Sequence, residues 1–167
     1  MVDISDILGK KGERISFSSA ENITNVNDYP AITAFIGPVN IKGTAENTGG
    51  AVNIEAEGKV TVTMPCDRCV KDVDIELNFT VEETYVASGN ASENDESYSG
   101  SSVCLDGAVK KSILSSLPMK VLCSEDCKGL CPQCGKDLNT GECGCKTDYI
   151  DPRFESLRSL FNVDKEV

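Results

Sequence analysis

The sequence predicts an α+β protein: an antiparallel β-sheet, or a small open β-barrel, carrying a few helices and a C-terminal cysteine-rich module. Three observations carry this expectation. Apolar residues recur at every second position through the first half of the chain, as in half-buried strands. Two later segments space them three and four apart, as amphipathic helices do. Six cysteines crowd between those two segments, from Cys123 to Cys145. Strands followed by helices favour a sheet with helices packed on it over an alternating parallel fold.

In chain order, residues 2–8 fit a short helix with Ile4, Ile7 and Leu8 on one face. Glu13 to Ser18 alternates as a strand, Ala31 to Ile36 is β-branched, and Gly37-Pro38 punctuates the chain before a strand from Val39 to Glu46. Asn47-Thr48-Gly49-Gly50 reads as a turn. Ala51 to Met64 alternates through Val52, Ile54, Ala56, Val60 and Val62, and a second run alternates through Val73, Ile75, Leu77, Phe79 and Val81. These two runs form a long hairpin with Cys66 and Cys69 at its tip. Residues 88–102 are polar, acidic and nearly free of apolar side chains, so they read as a flexible linker. Asp106 is placed to cap a helix running to Leu117, with Val109, Ile113 and Leu114 on its apolar stripe, and Pro118 ends it. Asp151-Pro152 opens a closing helix with Phe154, Leu157, Leu160 and Phe161 on one face. The organisation expected is a β-rich region over 1–87, an acidic linker over 88–102, and a helix, cysteine module and final helix over 103–167.

Composition narrows the function classes. The 167 residues carry a net charge of −11, with no His and no Trp. Residues 1–102 hold 7 Lys/Arg against 17 Asp/Glu, and residues 103–167 hold 9 against 10. Phosphate contacts need Lys and Arg, so the chain is a poor general binder of nucleic acid; any RNA contact would use a local basic patch, and the C-terminal third is the better place for one. No stretch approaches the roughly 20 apolar residues that span a membrane. The N-terminal residues lack the basic start and apolar run of a signal peptide. A cytosolic protein is the expectation, and there clustered cysteines mean metal more often than disulfide.

Nine cysteines are present: Cys66, Cys69, Cys104, Cys123, Cys127, Cys131, Cys134, Cys143 and Cys145. Cys131-Pro132-Gln133-Cys134-Gly135 is the strongest signal. Two cysteines three positions apart place both sulfurs on one tetrahedral ion, and the following Gly lets the backbone turn back. Asn139-Thr140-Gly141 offers a second turn that returns Cys143 or Cys145 to the same ion. Without His, a zinc site here is all thiolate; the spacing alone leaves thiolate-bound iron open. Cys66 and Cys69 have knuckle spacing but no Gly after them. They are two unpaired thiols at a hairpin turn, half of a second site completed by Cys123 and Cys127, or contributors to one ion drawn from a mixed set of the cysteines. One or two Zn2+ ions are therefore expected, with Cys104 left out. Ligands in excess of three, and no His to act as base or nucleophile partner, argue against an enzyme.

The segments Met64-Pro65-Cys66-Asp67-Arg68-Cys69, Leu117-Pro118, Leu122 to Asn139 and Asp151-Pro152-Arg153 resemble the YceD-type large ribosomal RNA subunit accumulation family. That resemblance implies a part in accumulating large-subunit ribosomal RNA through ribosome assembly, without catalysis. The partners it implies are the pre-large ribosomal subunit, through ribosomal RNA or a basic ribosomal protein, with no membrane and no small-molecule substrate. Within that role, Arg68, Lys71, Lys120, Lys128, Lys136, Lys146 and Arg153 flank the cysteines and are the candidates for partner contact. The alternative is a thiol- or zinc-based sensor, in which Cys104, Cys143 or Cys145 reports oxidation.

Overall fold

The computed structural model describes residues 1–23, 25–92 and 96–145. The strands are β1 (Val2–Asp3), β2 (Arg14–Glu21), β3 (Ala34–Asn47), β4 (Ala51–Pro65), β5 (Asp72–Ala87), β6 (Glu96–Tyr98) and β7 (Ser102–Val103), followed by helix α1 (Asp106–Ser116). The main sheet is open, in the order β2-β3-β4-β5-β6, and β1 pairs with β7 in a two-stranded ribbon. The fold is thus mostly β-sheet, with one short helix among the described residues.

The alternating residues do what their period requires. Val52, Ile54, Ala56, Val60, Val62 and Met64 of β4 are buried, as are Leu77, Phe79, Val81 and Tyr85 of β5. The β4–β5 register runs unbroken from Ala51 opposite Val86 to Pro65 opposite Asp72, leaving residues 66–71 as the hairpin tip. Side chains of α1 (Ala108, Val109 and Ile113) join the same apolar cluster as Ile4, Ile7, Val103 and Val121. The larger apolar cluster therefore draws its residues from both sides of segment 88–102.

Four local expectations change. Residues 2–8 are not a helix: Val2 and Asp3 pair with Val103 and Ser102, and a turn follows in which Ile7 N donates to Ile4 O. Burying Ile4 and Ile7 needs only that turn. Gly37-Pro38 does not separate two strands; β3 continues through it, with the register slipping between Ile36 and Asn40. The bulge absorbs a Pro that cannot donate to the ladder. Asp106 is the first helical residue, and Leu105 occupies the cap position without a side-chain cap. Finally, the polar segment 88–102 is not all linker. Glu96–Tyr98 adds a parallel strand to the edge of β5, where Tyr98 O accepts from both the amide and the hydroxyl of Ser88. Tyr98 packs half-buried on the core. Backbone hydrogen bonds need no apolar side chains, so composition missed them. The closing helix at Asp151 falls outside the described residues.

Candidate metal centre

The β4–β5 hairpin presents Cys66 and Cys69 at its tip, and the chain after α1 folds back onto that tip. Asp67 makes the join: its amide donates to Val121 O at 2.9 Å, and its carboxylate accepts the Val121 amide at 2.6 Å. The Arg68 guanidinium donates to Cys127 O at 2.6 Å, while Arg68 O accepts from the Leu130 amide at 3.1 Å. Gly129 lies so close that a Cβ there would sit 2.9 Å from Arg68 O. These contacts bring Cys123 and Cys127 to the knuckle.

The result is two groups of four sulfurs, Cys66, Cys69, Cys123 and Cys127, and Cys131, Cys134, Cys143 and Cys145, each with all sulfurs within 4.8 Å of one another. Either group could hold a metal ion. In the first, Cys69 and Cys123 Sγ are 3.5 Å apart and Cys66 and Cys127 Sγ are 3.9 Å apart. A tetrahedral ion with metal–sulfur bonds of about 2.3 Å separates its ligands by about 3.8 Å. Disulfide bonding requires about 2.05 Å, so the spacing is that of ligands. Cys66, Cys69 and Cys127 are buried and Cys123 is exposed; in the second group Cys131 is buried, Cys143 and Cys145 are half-buried and Cys134 is exposed. Cys104 is exposed and belongs to neither group.

The two knuckles repeat one backbone design. Cys66 N donates to Lys71 O at 2.8 Å and Val70 N to Cys66 O at 2.9 Å; Cys131 N donates to Lys136 O at 2.9 Å and Gly135 N to Cys131 O at 2.8 Å. Gly135 adopts φ +72°, and Val70, at the matching position, is forced to φ +61°. A β-branched residue is strained in that region, and the 65% exposed Val70 side chain recovers little by packing. Replacing Val70 by Gly is expected to raise stability by roughly 0.5–1 kcal/mol, the relief of left-handed strain less the entropy Gly adds to the unfolded chain. A thermal melt below that of the parent chain would contradict it.

Thiol acidity follows from the geometry. Burial opposes ionisation of Cys66, but hydrogen bonds from the Arg68, Cys123 and Cys69 amides bring its pKa down to about 6. The Cys134 and Gln133 amides bring Cys131 down to about 6. Sharing a proton with Cys69 and Cys127 pushes Cys123 up to about 12, and Cys145 rises to about 12 beside Cys134. Each cluster releases its first protons readily and its last reluctantly, as expected where four thiolates await one cation.

The candidate basic residues separate into two kinds. Arg68 is spent on Cys127 O, Lys71 pairs with Asp137 at 2.8 Å, and Lys136 Nζ donates to Glu142 O at 2.9 Å. Lys120 and Lys128 are exposed and make no ion pair among the described residues. Lys146 and Arg153 lie outside those residues. Sequence reasoning missed Asp67, Asp137 and Asn139, which do not ligate but fasten the loops. The only signal was the turn at Asn139-Thr140-Gly141.

No helix among the described residues is long and apolar enough to cross a membrane. No solved structure matches the chain. It is similar to the uncharacterized protein YlbN of Bacillus subtilis, 28% identical over 135 residues and covering 78% of each chain. It is also similar to two uncharacterized mycobacterial proteins. Rv2926c of Mycobacterium tuberculosis is 28% identical over 60% of this chain and 51% of its own length; ML1660 of Mycobacterium leprae is 25% identical over 76% and 61%. The chain thus spans about half to three-fifths of those longer relatives. The model of the family described as "Large ribosomal RNA subunit accumulation protein YceD" matches residues 54–161, from within β4 through the hairpin tip and both cysteine groups. With that match covering most of the chain, the protein belongs to the YceD family.

Proposed function

We propose that the protein is a non-catalytic, cytoplasmic ribosome-assembly factor that supports accumulation of large-subunit ribosomal RNA, with its cysteine module held by two structural zinc ions. The observation that carries this reading is the family match over residues 54–161, which takes in both four-sulfur groups. Zinc is favoured because four thiolates around one tetrahedral point suit it. An iron–sulfur cluster distributes its cysteines over two or more irons, which fits poorly with four sulfurs mutually within 4.8 Å. Closed four-ligand sites leave no open position for substrate, and the chain has no His to serve as a base.

Lys120 and Lys128 are the residues we assign to partner contact, since Arg68, Lys71 and Lys136 are engaged within the module. The protein is expected to co-sediment with precursors of the large subunit. Lys120→Ala combined with Lys128→Ala should shift it to the free fractions, with unchanged metal content and melting temperature. If the partner surface is RNA, binding by the double variant should also depend less steeply on salt, by about 0.7–0.9 in log–log slope per lost contact. Sedimentation at the top of the gradient for the unmodified protein would count against the reading.

The greater exposure of Cys134, Cys143 and Cys145 favours one other reading, a thiol-based sensor. It requires zinc release under mild oxidation, whereas a structural role requires retention.

A further inference from the structure

Asn139 stands between the two sulfur groups. It lies in the turn that joins Cys134 to Cys143, within the loop closed by the second group, yet its side chain serves the first. Its Nδ2 donates to Cys127 Sγ at 3.5 Å and to Asp137 Oδ1 at 2.7 Å, and its Oδ1 accepts the Lys128 amide at 2.8 Å. Asp137 takes the Lys71 ammonium at 2.8 Å on its other oxygen, and Lys71 is two residues beyond Cys69. Leu138 N donates to Gly129 O at 2.9 Å, so main chain as well as side chain crosses the gap.

We propose that the two groups form one coupled metal centre, in which a divalent ion in the second group raises the affinity of the first through Asn139. This inference rests on the metal-binding reading above. Four thiolates on a divalent ion carry net charge −2, and amide donors aimed at sulfur offset it; such outer partners change metal affinity by about 10–100-fold. The Asn139 amide is the donor that the second loop contributes. A metal held by Cys134 and Cys143 adds a further tie to that loop, beyond the Leu138 N to Gly129 O hydrogen bond and the Lys71–Asp137 pair. Without it, the turn samples conformations in which Asn139 is away from Cys127, and the apparent affinity of the first group falls by the fraction of time the donor is lost. Linkage makes the effect reciprocal, so an ion in the first group tightens the second equally.

The test titrates the full-length reduced chain with Zn2+ against a competing chelator and follows the zero-, one- and two-metal forms by native mass spectrometry. The one-metal form of the unmodified chain is expected to peak at about half the level that two like, independent sites would give, as a tenfold coupling requires. Asn139→Ala should populate the one-metal form. Asn139→Ser, which keeps a turn-forming residue but cannot reach Cys127, should do the same. Removing the second group with Cys143→Ser and Cys145→Ser should weaken the remaining site about tenfold, and adding Asn139→Ala to that chain should weaken it no further. Equal, independent uptake of two ions by the unmodified chain would overturn the coupling while leaving the metal reading intact. Additive losses from Asn139→Ala and the double serine change would also overturn it. A chain that takes up no Zn2+ would defeat both.

Discussion

Protein purified under reducing conditions is expected to contain two zinc ions, and stripping them should unfold residues 121–145 while most of the β-sheet persists. The sheet has its own apolar core, in which Ile54, Val60, Val62 and Val81 are fully buried. The region after Val121 has little beyond Cys127 and Cys131 inside it, so its order depends on the metal. A structural zinc contributes roughly 10–16 kcal/mol of apparent binding energy at neutral pH, comparable to a typical domain's whole stability. Cys127→Ser combined with Cys131→Ser should therefore expose this region to rapid hydrogen exchange, and Cys104→Ser should not. Acid should act as the chelator does. The metal needs thiolates, and the most acidic thiols, Cys66 and Cys131, titrate at about 6. Their depressed pKa values favour the folded, metal-binding form above that range, and the advantage is lost as pH falls through it. Zinc should stay bound at pH 7–9 and leave on acidification, at a pH below that at which the free thiols titrate, because the bound ion competes with protons for them. A metal-free chain with a fully protected C-terminal region would remove the basis for the proposed centre.

Cells lacking the protein are expected to accumulate several-fold less mature large-subunit ribosomal RNA, with small-subunit RNA largely spared. The motive is the family match over residues 54–161. Restoring the unmodified chain should restore the RNA. Cys127→Ser should fail, because the module that carries Lys120 and Lys128 would no longer hold its shape. The Lys120→Ala, Lys128→Ala chain should fail for a different reason, remaining folded and zinc-loaded but unbound. Equal loss of both subunits would place the defect upstream of large-subunit assembly, and a normal ribosome profile would move the weight to the sensor reading.

Much of the site was legible before any coordinates. Period-two alternation is a direct consequence of strand geometry, so the β4–β5 hairpin and its cysteine tip could be read from residues 51–81. The Cys131–Gly135 knuckle was equally legible, because its Gly marks the left-handed turn. The grouping of the eight ligands into four and four stood only as arithmetic. Cys69 and Cys123 are 54 residues apart, and what joins them is Asp67 clasping the Val121 amide. No local pattern announces such a contact.

Residue types and their spacing were thus enough to determine the long β4–β5 hairpin and the Cys-x-x-Cys spacing at its tip and at Cys131–Cys134. Tertiary structure decided the rest, since hydrogen bonds between distant loops depend on where the backbone returns. It engaged the exposed Arg68 guanidinium with Cys127 O, a contact that the sequence did not announce. It added the polar residues Glu96–Tyr98 to the sheet, where the open edge of β5 needed backbone partners. It held Val70 in a conformation its side chain disfavours, because the knuckle's two hydrogen bonds demand that turn whichever residue occupies it.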